Sequence, residues 1–166
     1  MMKRRTFLLS GAAALLGAGA SGLLIRSQSH ATEAGSFPLT LSDAEWRKRL
    51  SDEQYRVLRD HGTERAFTSP LNDEKRTGLF HCAGCDQALY SSKTKYDSGT
   101  GWPSFYEALP DAVGTSVDKS FFMTRTEVHC SNCGGHLGHI FDDGPQPTGK
   151  RHCINGVAMT FTPESA

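Results

Sequence analysis

Val128-His129-Cys130-Ser131-Asn132-Cys133-Gly134 runs a β-prone segment into a two-cysteine turn. The pattern also occurs upstream, in Phe80-His81-Cys82-Ala83-Gly84-Cys85. Gly84 and Gly134 let the backbone fold until its amides face the sulfurs. Two C-x-x-C turns of this kind can complete one tetrahedral thiolate site for Zn²⁺, with Cys82, Cys85, Cys130 and Cys133 as ligands. The pairs lie farther apart than in a small zinc ribbon, so such a metal would join distant parts of the fold. With all four coordination positions filled, its role is structural. The competing reading, open to an exported protein, is two disulfides or two redox C-x-x-C motifs.

Around these turns the chain reads as mainly β. From Gly78 onward short apolar runs are broken by Gly, Pro, Asp and Ser, with no helical periodicity of useful length. Strands are expected at 78–81, 88–91, 121–125, 126–129, 137–141, 151–154 and 157–161. Asp142-Asp143-Gly144-Pro145 and Pro147-Thr148-Gly149 are turn chemistry, and Asn155-Gly156 predicts a hairpin beside Cys153. The preceding segment is different. Ser42-Asp43-Ala44-Glu45 and Ser51-Asp52-Glu53-Gln54 are capping boxes, flanked by the apolar pairs Leu41/Trp46 and Leu50/Tyr55. They predict short helices over about 43–50 and 52–61, the second stopped by Gly62. Both have too few apolar residues to stand alone and must pack onto a larger body. Thr63 to Thr77 reads as a wrapping loop.

Of five cysteines, Cys153 is left over, in Arg151-His152-Cys153-Ile154-Asn155. Basic and imidazole neighbours favour a thiolate, which makes it a candidate nucleophile. A buried, inert cysteine is the alternative. His136 and His139 stand upstream in Gly134-Gly135-His136-Leu137-Gly138-His139. The stretch from Tyr96 to Phe105 is too glycine-rich for a strand and carries Trp102. An indole there can wall an apolar subsite, although a core tryptophan under a loop is the commoner case.

Residues 1–31 read as an address. Met2-Lys3-Arg4-Arg5-Thr6-Phe7-Leu8-Leu9 is a basic start followed by an Ala/Gly/Leu-rich run to Ile25, and Ser29-His30-Ala31 suits cleavage after Ala31. The Arg-Arg-x-Phe-Leu pattern resembles a twin-arginine export signal, which predicts a periplasmic protein delivered by the export machinery. A retained membrane anchor is the alternative, disfavoured by the glycines and serines of the run. Residues 32–41 read as an exposed linker and 42–166 as one domain of ordinary size. Without Lys3, Arg4, Arg5 and Arg26 the chain carries 14 basic and 18 acidic residues, a net charge of −4. That excludes an electrostatically driven nucleic-acid binder.

Together these motifs resemble the type B methionine sulfoxide reductases, which reduce the R epimer of methionine sulfoxide. The resemblance runs from about Ser42 to Phe161. It rests on Gln54-Tyr55-Arg56-Val57-Leu58-Arg59, Gly62-Thr63-Glu64-Arg65, both C-x-x-C pairs, Gly101-Trp102-Pro103-Ser104-Phe105, Gly135-His136-Leu137-Gly138-His139, Asp143-Gly144-Pro145, Pro147-Thr148-Gly149 and Arg151-His152-Cys153-Ile154-Asn155. It implies two antiparallel sheets, a structural Zn²⁺ at one end and an active site on the open face. It implies Cys153 as nucleophile, passing through a sulfenic acid as methionine is released. His136 and His139 would supply the proton that the breaking S–O bond needs. Asn155 would orient the substrate or an imidazole, and Trp102 would pack on the substrate methyl group. Arg151 would hold the thiolate, and Phe105 would belong to the substrate pocket. Oxidised proteins or peptides would be the substrates of a monomer. The reductant would be an external thiol: thioredoxin-like, glutaredoxin-like or small.

Three departures from the family pattern matter. His152 stands where an aromatic residue is usual, so it could alter the thiol pKa or the pocket wall. Gly134-Gly135 precedes His136 where bulkier residues are common. Thr100 occupies the position where many members carry a second, resolving cysteine. Two other readings explain less. A zinc-ribbon binding module accounts only for the four paired cysteines. A cysteine–histidine hydrolase needs an oxyanion hole and a base–orienter pair that the sequence does not present.

Overall fold

The computed structural model describes residues 37–165. The expected export signal lies outside them, and among the described residues no helix is long and apolar enough to cross a membrane. Two seven-residue helices come first, α1 (Asp43–Arg49) and α2 (Asp52–Leu58), each opened by its capping box. The Glu45 carboxylate accepts the Ser42 N–H at 2.8 Å, and the Gln54 side chain accepts the Ser51 N–H at 3.0 Å. Both helices stop sooner than expected. The left-handed residue after α2 is His61, with φ 54°, and the Gly62 N–H closes the turn on the Arg56 carbonyl at 2.8 Å. A Cβ at Gly62 would lie 2.7 Å from that carbonyl, so this glycine provides clearance rather than handedness. Trp46, Leu50, Tyr55, Val57 and Leu58 are buried, which gives helices this short the packing they need.

The body is β, as expected. Its strands are β1 (Gly78–Cys82), β2 (Ala88–Ser91), β3 (Lys95–Tyr96), β4 (Ser104–Phe105), β5 (Val113–Asp118), β6 (Arg125–Cys130), β7 (His136–Phe141), β8 (Arg151–Ile154) and β9 (Met159–Pro163). They form two antiparallel sheets, ordered β2-β1-β9 and β3-β4-β8-β7-β6-β5. Aromatic rings join the two sheets. Phe105 on β4 stacks on Tyr90 of β2 with centroids 4.3 Å apart and meets Phe80 of β1 edge-on at 5.0 Å. Phe80, Leu89, Tyr90, Phe105, Leu137 and Ile154 are fully buried, each worth about 1.5–3 kcal/mol. Phe105 is therefore a core residue, which corrects its expected place in the substrate pocket.

Several other expectations change for local physical reasons. The strand expected over 121–125 does not form. Ser120–Phe122 is a 3₁₀ turn, Phe122 has φ 59°, and β6 begins at Arg125 opposite Asp118 of β5. β5 itself escapes a sequence reading because Val-Gly-Thr-Ser-Val-Asp is polar and mostly exposed, as suits an edge strand paired on one side. The Asn155-Gly156 hairpin is absent too. β8 and β9 belong to different sheets and are linked by the 3₁₀ turn Gly156–Ala158. Gly156 is required there because a Cβ would lie 1.8 Å from Ser69 Oγ. Finally, the linker expected over 32–41 is docked where it is described. The Leu39 N–H bonds the Asn132 carbonyl at 2.9 Å, and the Phe37 ring meets His129 edge-on at 5.5 Å.

Candidate active site

Two clusters of sulfur chemistry emerge from this frame. The first forms where β1 and β6 each end in a C-x-x-C turn, closed by Asp86 N–H to the Cys82 carbonyl (2.8 Å) and Gly134 N–H to the Cys130 carbonyl (2.9 Å). Gly134 takes φ 67°, the left-handed region that the second turn requires. The turns come from different sheets and interleave their sulfurs. Cys82 Sγ lies 3.7 Å from Cys133 Sγ, and Cys85 Sγ lies 3.5 Å from Cys130 Sγ. All four sulfurs fall within 4.8 Å of one another, and none is in a disulfide. A tetrahedron with Zn–S bonds of about 2.3 Å has edges of about 3.8 Å, so the donor set fits one divalent metal. The electrostatics agree. Hydrogen bonds from Cys130, Cys133 and Cys82 hold the Cys85 thiol low, while Cys130, Cys133 and Cys85 push Cys82 up. Four sulfurs this close need a cation before all can be thiolates.

The second cluster centres on Cys153, in an open cleft of about 130 Å³ lined by Thr63, Trp102, Arg125, His139, Cys153 and Asn155, among others. β8 carries Cys153 between β4 and β7, opposite Ser104 and His139. The β7 approach depends on Gly138, where a Cβ would lie 2.0 Å from the Cys153 carbonyl. Thr100 Oγ1 stands 3.9 Å from Cys153 Sγ and bonds Ser98 Oγ at 2.8 Å, which in turn bonds Ser104 Oγ at 2.7 Å. Burial pushes the Cys153 thiol up, against smaller downward pulls from Thr100 and Arg151. The basic neighbour pulls toward the thiolate as expected, but burial outweighs it. The Arg151 fork is committed elsewhere: Nε and Nη2 bond both Asp143 oxygens at 2.8 and 2.9 Å, and the guanidinium lies 4.4 Å from the Phe141 ring centroid.

His152 does not face the cleft. Strand alternation turns it to the core, where Nδ1 meets the Tyr90 hydroxyl at 3.1 Å, and burial lowers its pKa to about 4. It is therefore neither pocket wall nor thiol neighbour. Of the two predicted histidines, His139 lines the cleft and His136 is 2% exposed beside it, with ring centroids 5.4 Å apart. Each has a carboxylate partner that the sequence reading did not find. His136 Nδ1 lies 2.6 Å from Glu127 Oε1, and His139 Nε2 lies 2.7 Å from Asp118 Oδ2.

Asn155 is at the cleft, and both ends of its amide are anchored. Its Oδ1 accepts the Glu64 N–H at 2.7 Å, and its Nδ2 donates to the Leu137 carbonyl at 2.9 Å. These bonds hold Asn155 to Glu64 and Leu137 and leave one N–H of its amide for a further partner. Glu64 is the other residue missed as a site element. Its carbonyl accepts the Trp102 Nε1–H at 3.0 Å, and its carboxylate caps the turn after Asn155 by accepting the Gly156 N–H at 2.6 Å. One buried glutamate thereby fixes the indole and Asn155 together. The Gly62-Thr63-Glu64-Arg65 motif was visible in the sequence; its role was not.

Residues 50–163 match the family described as the SelR domain. The chain is similar to the peptide methionine sulfoxide reductase MsrB of Agrobacterium fabrum, 55% identical over 123 residues, covering 74% of this chain and 91% of that one. The MsrB of Methanosarcina barkeri is 56% identical over 124 residues, covering 74% and 87%. That of Leptospira interrogans is 51% identical over 130 residues, covering 78% and 99%. Cleft, cysteine cluster and sequence agree, and the chain belongs to the SelR domain family, that of the type B methionine sulfoxide reductases.

Proposed function

We propose that this chain reduces the R epimer of methionine sulfoxide in proteins or peptides, with Cys153 as nucleophile and an external thiol as reductant. The observation that carries this is a single sulfur, apart from the metal-binding four, in a cleft shared with an indole and an imidazole. The Cys153 sulfur attacks the sulfoxide sulfur once its proton has left. A histidine delivers a proton to the sulfoxide oxygen. The oxygen passes to the Cys153 sulfur as the S–O bond and the transient S–S bond break, so the substrate leaves as methionine and Cys153 becomes a sulfenic acid. The Trp102 ring, held by Glu64, packs on the substrate methyl group. Burial keeps the proton on Cys153, so the attack needs a base beside the thiol to take it. Arg151, its Nε and Nη2 held by Asp143, lowers the Cys153 thiol by charge and by a hydrogen bond.

Recycling follows from Thr100. Its hydroxyl cannot perform thiol–disulfide exchange, and the other four sulfurs are held in the cluster. The enzyme is a one-cysteine form: an external thiol condenses with the sulfenic acid to a mixed disulfide and water, and a second thiol releases Cys153. One turnover of an R-sulfoxide peptide without reductant, read by mass spectrometry, tests both steps. The expected product is methionine plus one added oxygen on Cys153. An internal disulfide with metal release would overturn the one-cysteine form, and unreacted peptide would overturn the activity.

Cys82, Cys85, Cys130 and Cys133 would hold one Zn²⁺, which would cross-link the two sheets. The signal over residues 1–31 sends the folded monomer to the periplasm. Sequencing the N-terminus of the exported protein checks this: a first residue other than Thr32 would refute the cleavage site.

A further inference from the structure

Two carboxylates on neighbouring strands, Glu127 buried and Asp118 half-buried, each hold one histidine of the site. Glu127 on β6 meets His136 at Nδ1, 2.6 Å away, whereas Asp118 on β5 meets His139 at Nε2, 2.7 Å away. Each carboxylate is fixed by further donors. Ser116 Oγ–H bonds the second oxygen of Glu127 at 2.5 Å, and His61 Nδ1 shares Glu127 Oε1 at 3.0 Å. Asp118 accepts from Arg125 Nη2 at 2.6 Å and from the Ser120 N–H at 2.8 Å. Burial raises both acids, but these hydrogen bonds outweigh it and hold each well below the usual carboxylate range. An ionised carboxylate can only accept, so the ring nitrogen facing it must carry the hydrogen.

We propose that Glu127 and Asp118 are positioning residues that lock the two histidines in opposite tautomers. The hydrogen of His136 is fixed on Nδ1 and that of His139 on Nε2. This leaves Nε2 of His136 and Nδ1 of His139 as the nitrogens that exchange protons. The inference deepens the reading of these histidines as proton donors and rests on it. The proton then has a closed path. The exchangeable nitrogen takes it from the Cys153 thiol and returns it to the sulfoxide oxygen as Cys153 sulfur attacks. The substrate sulfur is reduced to a thioether, oxygen and proton end on Cys153 as the sulfenic acid, and the imidazole is restored. A ring nitrogen that already carries its hydrogen cannot take the thiol proton.

Other charges reach the pair. His136 is faced by Glu127, His61, His139 and, through charge, His129; His139 is faced by Asp118, Arg125, His136 and, across the ladder, Cys153. Glu127→Gln and Asp118→Asn keep the shapes and remove the charge that favours imidazolium.

The test combines nitrogen-15 NMR of the histidine rings with the pH profile of the single-turnover reduction. In the full protein at neutral pH, the hydrogen of His136 is expected on Nδ1 and that of His139 on Nε2. Each variant is expected to lose about ten- to hundredfold in rate with KM little changed, and to shift the profile to lower pH. The opposite tautomers, or variants with lowered melting temperature but an unmoved pH profile, would overturn the proposal. His136→Asn and His139→Asn separate it from the reading beneath it. If both keep the full single-turnover rate, the proton-donor role fails, whatever the tautomers prove to be.

Discussion

Cys85 and Cys153 are both half-buried, the first in the turn after β1 and the second within β8. Cys85 has another sulfur 3.5 Å away and two more within 4.8 Å. Cys153 has a threonine hydroxyl at 3.9 Å and the open cleft beside it. The first environment suits a ligand set: thiolates packed this tightly need a cation, and a metal held there would fill their reactive orbitals. The second leaves the sulfur its proton, which burial holds in place until a substrate arrives. Neighbours, rather than exposure, separate a structural from a reactive cysteine here.

The strongest way to break that comparison is Cys153→Ser. Turnover of an R-sulfoxide peptide is expected to fall by at least about a thousandfold, with metal content unchanged. Activity persisting in the purified variant would move the chemistry to another sulfur. Next in size is Cys130→Ser, inside the cluster. The expected outcome is metal loss and destabilisation of about 3–5 kcal/mol, since metal binding is folding free energy in such sites. Metal analysis and denaturant melts read it. A metal-free variant that melts normally would show that the sheets hold together without the cross-link.

The smallest effect tests whether sequence adjacency to Cys153 carries chemistry. His152 is neutral in the fold, with a pKa lowered to about 4 by burial from an ordinary 6.5. Between those values the unfolded chain binds a proton that the folded one refuses, so stability falls as pH drops through that window. The loss tends to on the order of 3 kcal/mol below it. His152→Phe is expected to remove this acid sensitivity and leave the rate at neutral pH within about twofold, since the ring faces Tyr90. A large change in turnover would place His152 back in the site.

The parts legible in the sequence are those decided by residues close together along the chain. Capping boxes at Ser42 and Ser51 start both helices, and Ala88–Ser91 and Arg151–Ile154 are strands with the expected bounds. The C-x-x-C turns are local too, and their pairing could be read because only another such turn completes a tetrahedron. Cys153 stood out by being left over.

What only the tertiary structure decided depends on register and on which face a strand presents. Phe105 and His152 are directly paired across β4 and β8, and both turn to the core, while Cys153 next door turns to the cleft. Asp118 and Glu127 find their histidines through the β5–β6–β7 ladder, and Glu64 reaches Asn155 and Trp102 across loops distant in sequence. In a strand a shift of one residue exchanges the two faces, and the sequence of an exposed edge strand holds almost no record of its register. Local chemistry therefore named the sulfurs and the helix starts, whereas the partners of each site residue awaited the closing of the sheets.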